Sequence, residues 1–165
     1  MGIFARSGRA LAVLGVVALG SFILVAPQSY AEDPPGDNGT IKVDGVEFDT
    51  HQNNQPHVGC VFQVDFYGFD EGSLTARVRF YAIPPTGNRE LLLADNVDIG
   101  EDAAGGGGDL DAQATYDLSA ALKSYMAHEQ QGFHIKLKIN AQGSIGADTK
   151  YKAFWVEECA YSAPA

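Results

Sequence analysis

The sequence is poor in positive charge, since 11 lysines and arginines stand against 21 aspartates and glutamates. A protein that binds nucleic acid through its phosphates needs a dominant basic surface, so this balance argues against that class of function. The chain has no block of like charge and is well supplied with Val, Ile, Leu and Phe, which argues against general disorder. Its 165 residues suit one packed domain and are short for two.

Long apolar runs are also scarce, and the one present lies at the amino terminus. Arg6 and Arg9 give a basic start, 10–26 is apolar or small, and Ser29-Tyr30-Ala31 places small residues at positions −3 and −1 of a cleavage site. This pattern predicts a secretory signal peptide over 1–31, cleaved after Ala31. The alternative is an uncleaved membrane anchor, for which this run is at the short end of the roughly 17–25 residues that span a bilayer.

Cleavage leaves a mature chain with nine basic and 21 acidic residues, a formal net charge of −12. We expect a flexible polar lead over 32–39, a β-sandwich domain over 40–160 and a tail over 161–165. No sorting sequence of the Leu-Pro-x-Thr-Gly type, second apolar run or basic tail follows. The predicted location is therefore extracellular, free or held non-covalently at the cell wall, with no membrane span after cleavage.

Cysteine is scarce as well, with Cys60 and Cys159 the only two in the chain. An even number of cysteines in an exported protein predicts one disulfide. The alternatives are a thiol nucleophile, which needs a free and activated cysteine, and a metal site, which needs more than two soft ligands. Nothing else in the sequence supports either of them.

Alternation of apolar and polar residues marks the mature chain as a β protein. In Leu74–Ala82 and Phe133–Ala141 every second residue is apolar, and Val58–Phe66 does the same apart from Val61, which indicates strands with one face in a core. Seven segments show this pattern: Ile41–Phe48, Val58–Phe66, Leu74–Ala82, Glu90–Val97, Leu110–Leu118, Phe133–Ala141 and Lys150–Cys159.

These strands, one long-range disulfide and a short helix over 120–126, capped by Asp117 or Ser119, predict an all-β fold. We expect an immunoglobulin-like antiparallel β-sandwich of about seven strands with one short helix. An immunoglobulin domain joins its second and sixth strands by a disulfide, whereas Cys159 lies in the last strand here. The alternation therefore supports a sandwich in general more than the immunoglobulin strand order in particular.

Basic residues concentrate on the polar sides of three strands that would share a sheet in such a sandwich. We predict that the last strand points Tyr151, Ala153 and Trp155 inward, and that it ends near Val156 or contains a bulge. Since like charges on neighbouring strands cost stability, this clustering suggests a face for an anionic partner, either a wall polymer or an acidic patch on another protein. The alternative is a set of ordinary solvated positions. The predicted partner-binding residues are Arg77, Arg79, Tyr81, His134, Lys136, Lys138, Lys150, Lys152 and Phe154.

Motifs for catalysis or metal binding are missing. The chain has no Gly-x-Ser-x-Gly turn, and His128-Glu129 begins like a zinc helix but has Gly132 where the second histidine is needed. Acidic residues beside the glycine-rich segment 100–109 have the oxygen ligands that calcium prefers, but their spacing is not that of the twelve-residue calcium loop, and a solvated acidic loop is the default interpretation. No cofactor is predicted. The calcium candidates are Asp95, Asp98, Glu101, Asp102 and Asp109.

Five stretches spread over most of the mature chain form a recognisable set: Gly39–Val43, Pro56–Cys60, Pro84–Gly87, Gln131–Leu137 and Gly146–Val156. The most distinctive of them is the Phe-Trp-Val ending before the final cysteine. Together they resemble a group of uncharacterised secreted or wall-associated β-sandwich proteins of actinobacteria. Some members of that group carry a sorting signal, which this chain lacks. The resemblance implies export and a surface location, and it implies no activity and no catalytic residues.

The leading hypothesis is a non-enzymatic exported binding or surface-interaction module of the bacterial cell envelope, directed at an anionic partner. It follows from the predicted export, the missing catalytic motifs and the segregated basic face. Two alternatives stay open: an enzyme that acts on envelope carbohydrate through carboxylates the sequence does not identify, and a structural domain stabilised by calcium.

Overall fold

The computed structural model of the protein describes residues 39–49, 53–100, 108–141 and 148–157 together with Cys159. The chain divides between Ala31 and Glu32 into two compact units, and all the described residues belong to the second. The predicted signal peptide, almost all of the polar lead and the tail lie outside the described residues.

Eight strands and one short helix lie within the described part of the chain. In Thr75–Ala82 and Phe133–Ala141 every second side chain is buried, as expected for strands of a sheet that packs on one face. In chain order the elements are β1 (Thr40–Gly45), β2 (His57–Val58), β3 (Val61–Tyr67), β4 (Thr75–Ala82), β5 (Glu90–Asp98), β6 (Leu110–Asp117), α1 (Ser119–Leu122), β7 (Phe133–Ala141) and β8 (Thr149–Val156).

The strands form a sandwich of two sheets. One sheet has three strands in the order β1-β3-β6, and the other has five in the order β2-β8-β7-β4-β5. All neighbours are antiparallel except β2 and β8, which are parallel. This order, with β3 between β1 and β6 and with β4, β7 and β8 side by side, is that of an immunoglobulin-like sandwich. The predicted fold class is confirmed.

The eighth strand arises because the segment predicted as Val58–Phe66 serves both sheets. Val58 pairs with Val156 in the five-stranded sheet, whereas Val61–Tyr67 pairs with β1 and β6 in the three-stranded sheet. The chain crosses between the sheets at Gly59 and Cys60, and Val61 is 40% exposed where it enters the second sheet. The buried side chains keep the predicted phase through this change of sheet, so Val61 is an apolar residue on the outer side of the strand.

The core lies between the two sheets and is built from the alternate residues that the sequence pattern indicates. Phe62 of β3 lies at its centre, with its ring 5.5 Å from that of Phe80 and 5.2 Å from that of Phe154. Tyr116 completes this aromatic cluster at 4.8 Å from Phe80. Every second side chain of β7 is buried, so Ile135 and the other apolar residues of this strand pack in the same core from the five-stranded sheet.

The predicted disulfide is present between Cys60 and Cys159. Their Cα atoms are 5.2 Å apart, within the usual range for a disulfide. The bond ties the point where the chain changes sheets to the segment beyond β8. Its place therefore differs from that of the immunoglobulin disulfide, which joins two strands across the core.

The phase predicted for the last strand is wrong. Its register with β7 pairs Phe154 with Ile135 and Val156 with Phe133, so these two side chains enter the core. Trp155 therefore points outward. The strand ends at Val156, as one of the two alternatives predicted. Both faces of this strand carry aromatic residues, so the sequence alternation alone did not identify the buried one.

The helix is shorter than predicted and covers only Ser119–Leu122. Asp117 accepts a hydrogen bond from the Ser119 backbone N–H at 2.8 Å, and Leu122 is buried against the core. Among the described residues, no helix has the length and apolar character needed to cross a membrane.

Candidate functional site

The outer face of the five-stranded sheet collects the side chains of β4, β7 and β8 that point away from the core. Alternate residues of these strands are buried, and the intervening ones are partly or fully exposed. We call this surface the basic face. Its members on the three strands are Arg77, Arg79, Tyr81, His134, Lys136, Lys138, Tyr151, Ala153 and Trp155.

The strand register arranges these side chains in rows across the sheet. Lys136 lies between Tyr81 and Ala153 in one row, and Lys138 lies between Arg79 and Tyr151 in the next. Residues directly opposite in antiparallel strands have Cβ atoms about 4.5–5.5 Å apart. Six of the nine predicted binding residues are thereby brought together, namely Arg77, Arg79, Tyr81, His134, Lys136 and Lys138.

The cations of the basic face are not neutralised by carboxylates. In the described part of the chain, Arg77, Arg79, Lys136 and Lys138 form no ion pair, although Arg79 and Lys138 are directly opposite each other. Arg79 donates from Nη2 to Asn140 Oδ1 at 2.8 Å, while its buried Nε has no acceptor among the described residues. Two like charges directly opposite each other on neighbouring strands destabilise a sheet, so the presence of Arg79 and Lys138 at these positions favours a role in ligand binding.

Aromatic rings separate the positive charges. The Nζ atom of Lys136 lies 4.4 Å from the centroid of the Tyr151 ring, and that of Lys138 lies 5.9 Å from the same centroid. The ring face carries partial negative charge and stabilises the ammonium groups without neutralising them. Tyr151 is 52% exposed, so its ring also offers an apolar surface to a ligand.

A shallow pocket of about 300 Å³ opens in the middle of this surface. Its volume is at the lower end of the range for small-molecule sites, which is roughly 300–1,000 Å³. Its lining among the described residues consists of two tyrosines, three cations and one aliphatic side chain, without a carboxylate. The lining residues are Tyr81, Ile83, Arg89, Lys136, Lys138 and Tyr151.

Arg89 joins the pocket from the turn between β4 and β5. Its φ angle of 75° lies in the left-handed region, which non-glycine residues rarely occupy, and its backbone N–H donates to the Ala82 carbonyl at 2.8 Å. Such a conformation costs about 1–3 kcal/mol and is found most often at functional sites. Neither the positive φ nor the proximity to Lys136 could be seen in the sequence, where Arg89 is merely a turn residue.

Trp155 forms the other end of the basic face. The His134 ring is stacked on it, with centroids 4.3 Å apart and planes 12° apart, and His134 Nδ1 lies 2.6 Å from the Pro84 carbonyl oxygen. His57 is opposite Trp155 on β2, and His128 is 6.0 Å from its ring. Gly132 lies against the end of β8, and this close approach requires a glycine because a Cβ at position 132 would meet the Val156 carbonyl oxygen.

Three predicted binding residues do not belong to the basic face. Phe154 is only 3% exposed and lies in the core, and Lys150 and Lys152 share its side of β8. The Nζ atom of Lys150 lies 5.9 Å from the ring of the buried Phe69. Burial lowers the pKa of both lysines, and the charge of Lys42 lowers that of Lys152 further. They pack along the edge of the core rather than on the outer surface.

The calcium candidates do not converge in the part of the chain that the structure describes. Asp95 accepts hydrogen bonds from Tyr116 Oη at 3.2 Å and from the Asn96 backbone N–H at 2.8 Å. Asp98 accepts one from Thr75 Oγ1 at 3.3 Å. Within the described ranges, no three His, Cys, Asp or Glu side chains are arranged to hold a metal ion. The candidates Glu101 and Asp102 lie outside these ranges.

None of three surface pockets formed by described residues contains the pair of carboxylates that the enzyme hypothesis needs. Among the described residues that line them, the pocket on the basic face has no carboxylate, a second has only Asp98 and a third only Glu129. A hydrolase of the usual kind needs two carboxyl groups about 5–9.5 Å apart.

The outer face of the three-stranded sheet carries two carboxylates that are buried. Asp44 and Asp65 are both 0% exposed. Asp44 accepts from the Asp49 backbone N–H at 2.9 Å and from Gln55 Nε2 at 2.7 Å, because the chain after β1 folds back over the sheet. Asp65 accepts from Gln113 Nε2 at 3.1 Å. Burial, followed by the charges of Asp44 and Asp49, raises the pKa of Asp65.

No protein-family model, curated protein or solved structure matches this chain. The resemblance to actinobacterial surface proteins therefore stays a prediction from sequence motifs. The grounds for a function are the immunoglobulin-like fold and the chemistry of the basic face.

Proposed function

We propose that the protein is an exported, non-enzymatic binding module of the bacterial cell envelope, and that its basic face binds an anionic partner there. The observation that supports this proposal is the concentration of positive charge on one face of the five-stranded sheet. Of the nine basic residues of the predicted mature chain, three line one shallow pocket and two more lie on the same sheet face, in a chain whose formal net charge would be −12. Such a patch attracts anions locally in a protein that otherwise repels them. These five residues are Arg77, Arg79, Arg89, Lys136 and Lys138.

The predicted location supports the envelope part of this proposal. The amino-terminal pattern is that of a signal peptide, and the Cys60–Cys159 disulfide suits an oxidising compartment outside the cytoplasm. Polymers of bacterial envelopes are commonly anionic, so an exported protein with a cationic face meets suitable partners. The group of proteins that the sequence resembles has the same predicted location.

The test uses protein secreted from the full-length gene by a bacterial host, sedimented with isolated bacterial cell-wall fragments. Lys138→Glu is compared with Lys123→Glu, which makes the same change of charge at an exposed position beyond α1. We expect wild-type protein to co-sediment and the binding to weaken as salt approaches 0.15 M, where the screening length is about 8 Å. Lys138→Glu should weaken binding about tenfold, because an attraction becomes a repulsion at the site.

A second variant separates binding from folding. Arg89→Gly removes a cation from the pocket and also relieves the left-handed backbone, so it should weaken binding and leave the melting temperature unchanged or higher. If Lys123→Glu weakens binding as much as Lys138→Glu, only net charge matters and the proposed site is wrong. Absence of wild-type binding at low salt would contradict the proposal as a whole.

A further inference from the structure

The middle of the basic face offers side chains and no backbone. Strands β4 and β7 each have a hydrogen-bonded neighbour on both sides, whereas β8 pairs with β7 along its length and with β2 at Trp155 and Val156. An extended peptide that adds to a sheet needs a free strand edge, so it finds no main-chain partners on β4 and β7, where the cations lie. We therefore expect the ligand to be recognised there through charge and through contact with rings.

The rings are arranged along β8 with a gap between them. Tyr151 and Trp155 both point outward, and Ala153 lies between them on the same face. Four residues of a strand span about 13 Å, so the two rings are farther apart than one small ring compound can bridge. The small Ala153 leaves the space between them open, and Lys136 is its neighbour on β7.

A chain of sugars that carry negative groups fits this arrangement. The C–H face of a sugar ring packs on an exposed aromatic ring, its hydroxyls accept from lysine and tyrosine, and its acidic group pairs with cations. The pocket holds two tyrosines and three cations side by side, and Trp155 provides a further, partly exposed ring along the strand, with the His134 ring stacked on one of its faces. A polyanion without sugars can pair with the cations but has no sugar ring to pack on Tyr151 or Trp155.

We propose that the basic face binds an acidic glycan. One anionic sugar occupies the pocket against Tyr81 and Tyr151, with its acidic group at Lys136, Lys138 and Arg89, and the glycan extends along β8 past Ala153 to Trp155. This inference rests on the proposed function and names its ligand class. The acidic group is a carboxylate or a phosphate, since either one suits three cations without a carboxylate nearby.

Four polymers distinguish the alternatives in a binding assay with the secreted full-length product. Polygalacturonate carries carboxylates on sugars, phosphomannan carries phosphates on sugars, poly-L-glutamate carries carboxylates without sugars, and dextran is a neutral glycan. At least one of the two acidic glycans should bind about tenfold more tightly than poly-L-glutamate, the equivalent of roughly 1.4 kcal/mol. Dextran should not bind measurably.

Tyr151→Leu is the deciding variant, because an exposed tyrosine can be replaced without opening the core. It should remove the advantage of the acidic glycan and leave poly-L-glutamate binding within about twofold. Phe48→Leu, which removes a ring that is 40% exposed elsewhere, is the matched control and should change neither. Trp155 is the only tryptophan, so its fluorescence should respond to the glycan and not to poly-L-glutamate.

The outcomes separate this inference from the proposed function. If both acidic glycans bind no better than poly-L-glutamate, or if their advantage survives in Tyr151→Leu, the glycan inference is wrong while anion binding stands. Equal binding of dextran would also overturn it, since the cations would then have no part. If the wild-type protein bound neither wall fragments nor any of the polyanions, the proposed function itself would be contradicted.

Discussion

The outer faces of the two sheets carry opposite charges and differ in their access to solvent. On the five-stranded sheet the cations are at the surface, without carboxylate partners in the described part of the chain. On the three-stranded sheet Asp44 and Asp65 are fully buried; Asp44 accepts hydrogen bonds from the segment that follows β1, and Asp65 accepts one from Gln113. Polar residues at alternate positions of a strand therefore mark a face outside the core, and they do not reveal whether that face is open.

The largest expected effect concerns which side of β8 belongs to the open face. Phe154→Ala should lower the free energy of unfolding by about 3–5 kcal/mol, because it leaves a cavity beside Phe62. Tyr151→Ala should cost less than about 1 kcal/mol, since that ring is exposed. Urea unfolding measures both. If Tyr151→Ala cost more stability than Phe154→Ala, Tyr151 would lie in the core, and Lys150 and Lys152 would lie on the basic face. That result would contradict the register of β8 with β7.

An intermediate effect tests the contrast between covered and open charge directly. Asp44→Ala should destabilise the protein by about 1–3 kcal/mol, because Gln55 Nε2 and the Asp49 backbone N–H lose their acceptor. Lys138→Ala should stay within about 0.5 kcal/mol of the wild type, and it relieves repulsion with Arg79. Thermal unfolding of the two variants gives the comparison. Equal losses of stability in the two variants would mean that the two faces do not differ in how much their charged side chains contribute to the fold.

The smallest effect is a pH dependence that arises from Asp65. Burial and the charges of Asp44 and Asp49 raise its pKa, so the folded protein holds a proton that the unfolded chain has released. Stability is therefore lost as pH rises from the ordinary aspartate value through the raised one. Asp65→Asn keeps the acceptor for Gln113 and cannot ionise. It should match the wild type in acid and become more stable than the wild type towards neutral pH.

Asp117→Asn is the control with the opposite sign. Hydrogen bonds from the Ser119 hydroxyl and backbone lower the pKa of Asp117, so its contribution to stability is present at neutral pH and is lost as pH falls through the lowered value. The asparagine variant should thus be slightly less stable than the wild type at neutral pH and equal to it in acid. Parallel pH profiles for the two variants would contradict the direction of the pKa shift of at least one of the two carboxylates.

Much of the architecture could be predicted because strand periodicity is a local property. The alternation in β4 and β7 matches the observed burial residue by residue, and their outward cations lie together once the two strands pair. The disulfide followed from the cysteine count and the predicted export. In β8 the prediction failed because Phe154 and Trp155 are both aromatic, and only the pairing with Ile135 and His134 decides which of them is buried.

The sequence by itself determined the strands, the sandwich, the disulfide and a cluster of cations on neighbouring strands, because each of these follows from spacing along the chain or from composition. The tertiary structure decided the rest. Whether a polar face is covered depends on where a distant segment returns, and whether Arg89 reaches Lys136 depends on a turn geometry that has no local signature. A binding surface on a sheet is a property of register, and register is set by pairing between strands that are far apart in the sequence.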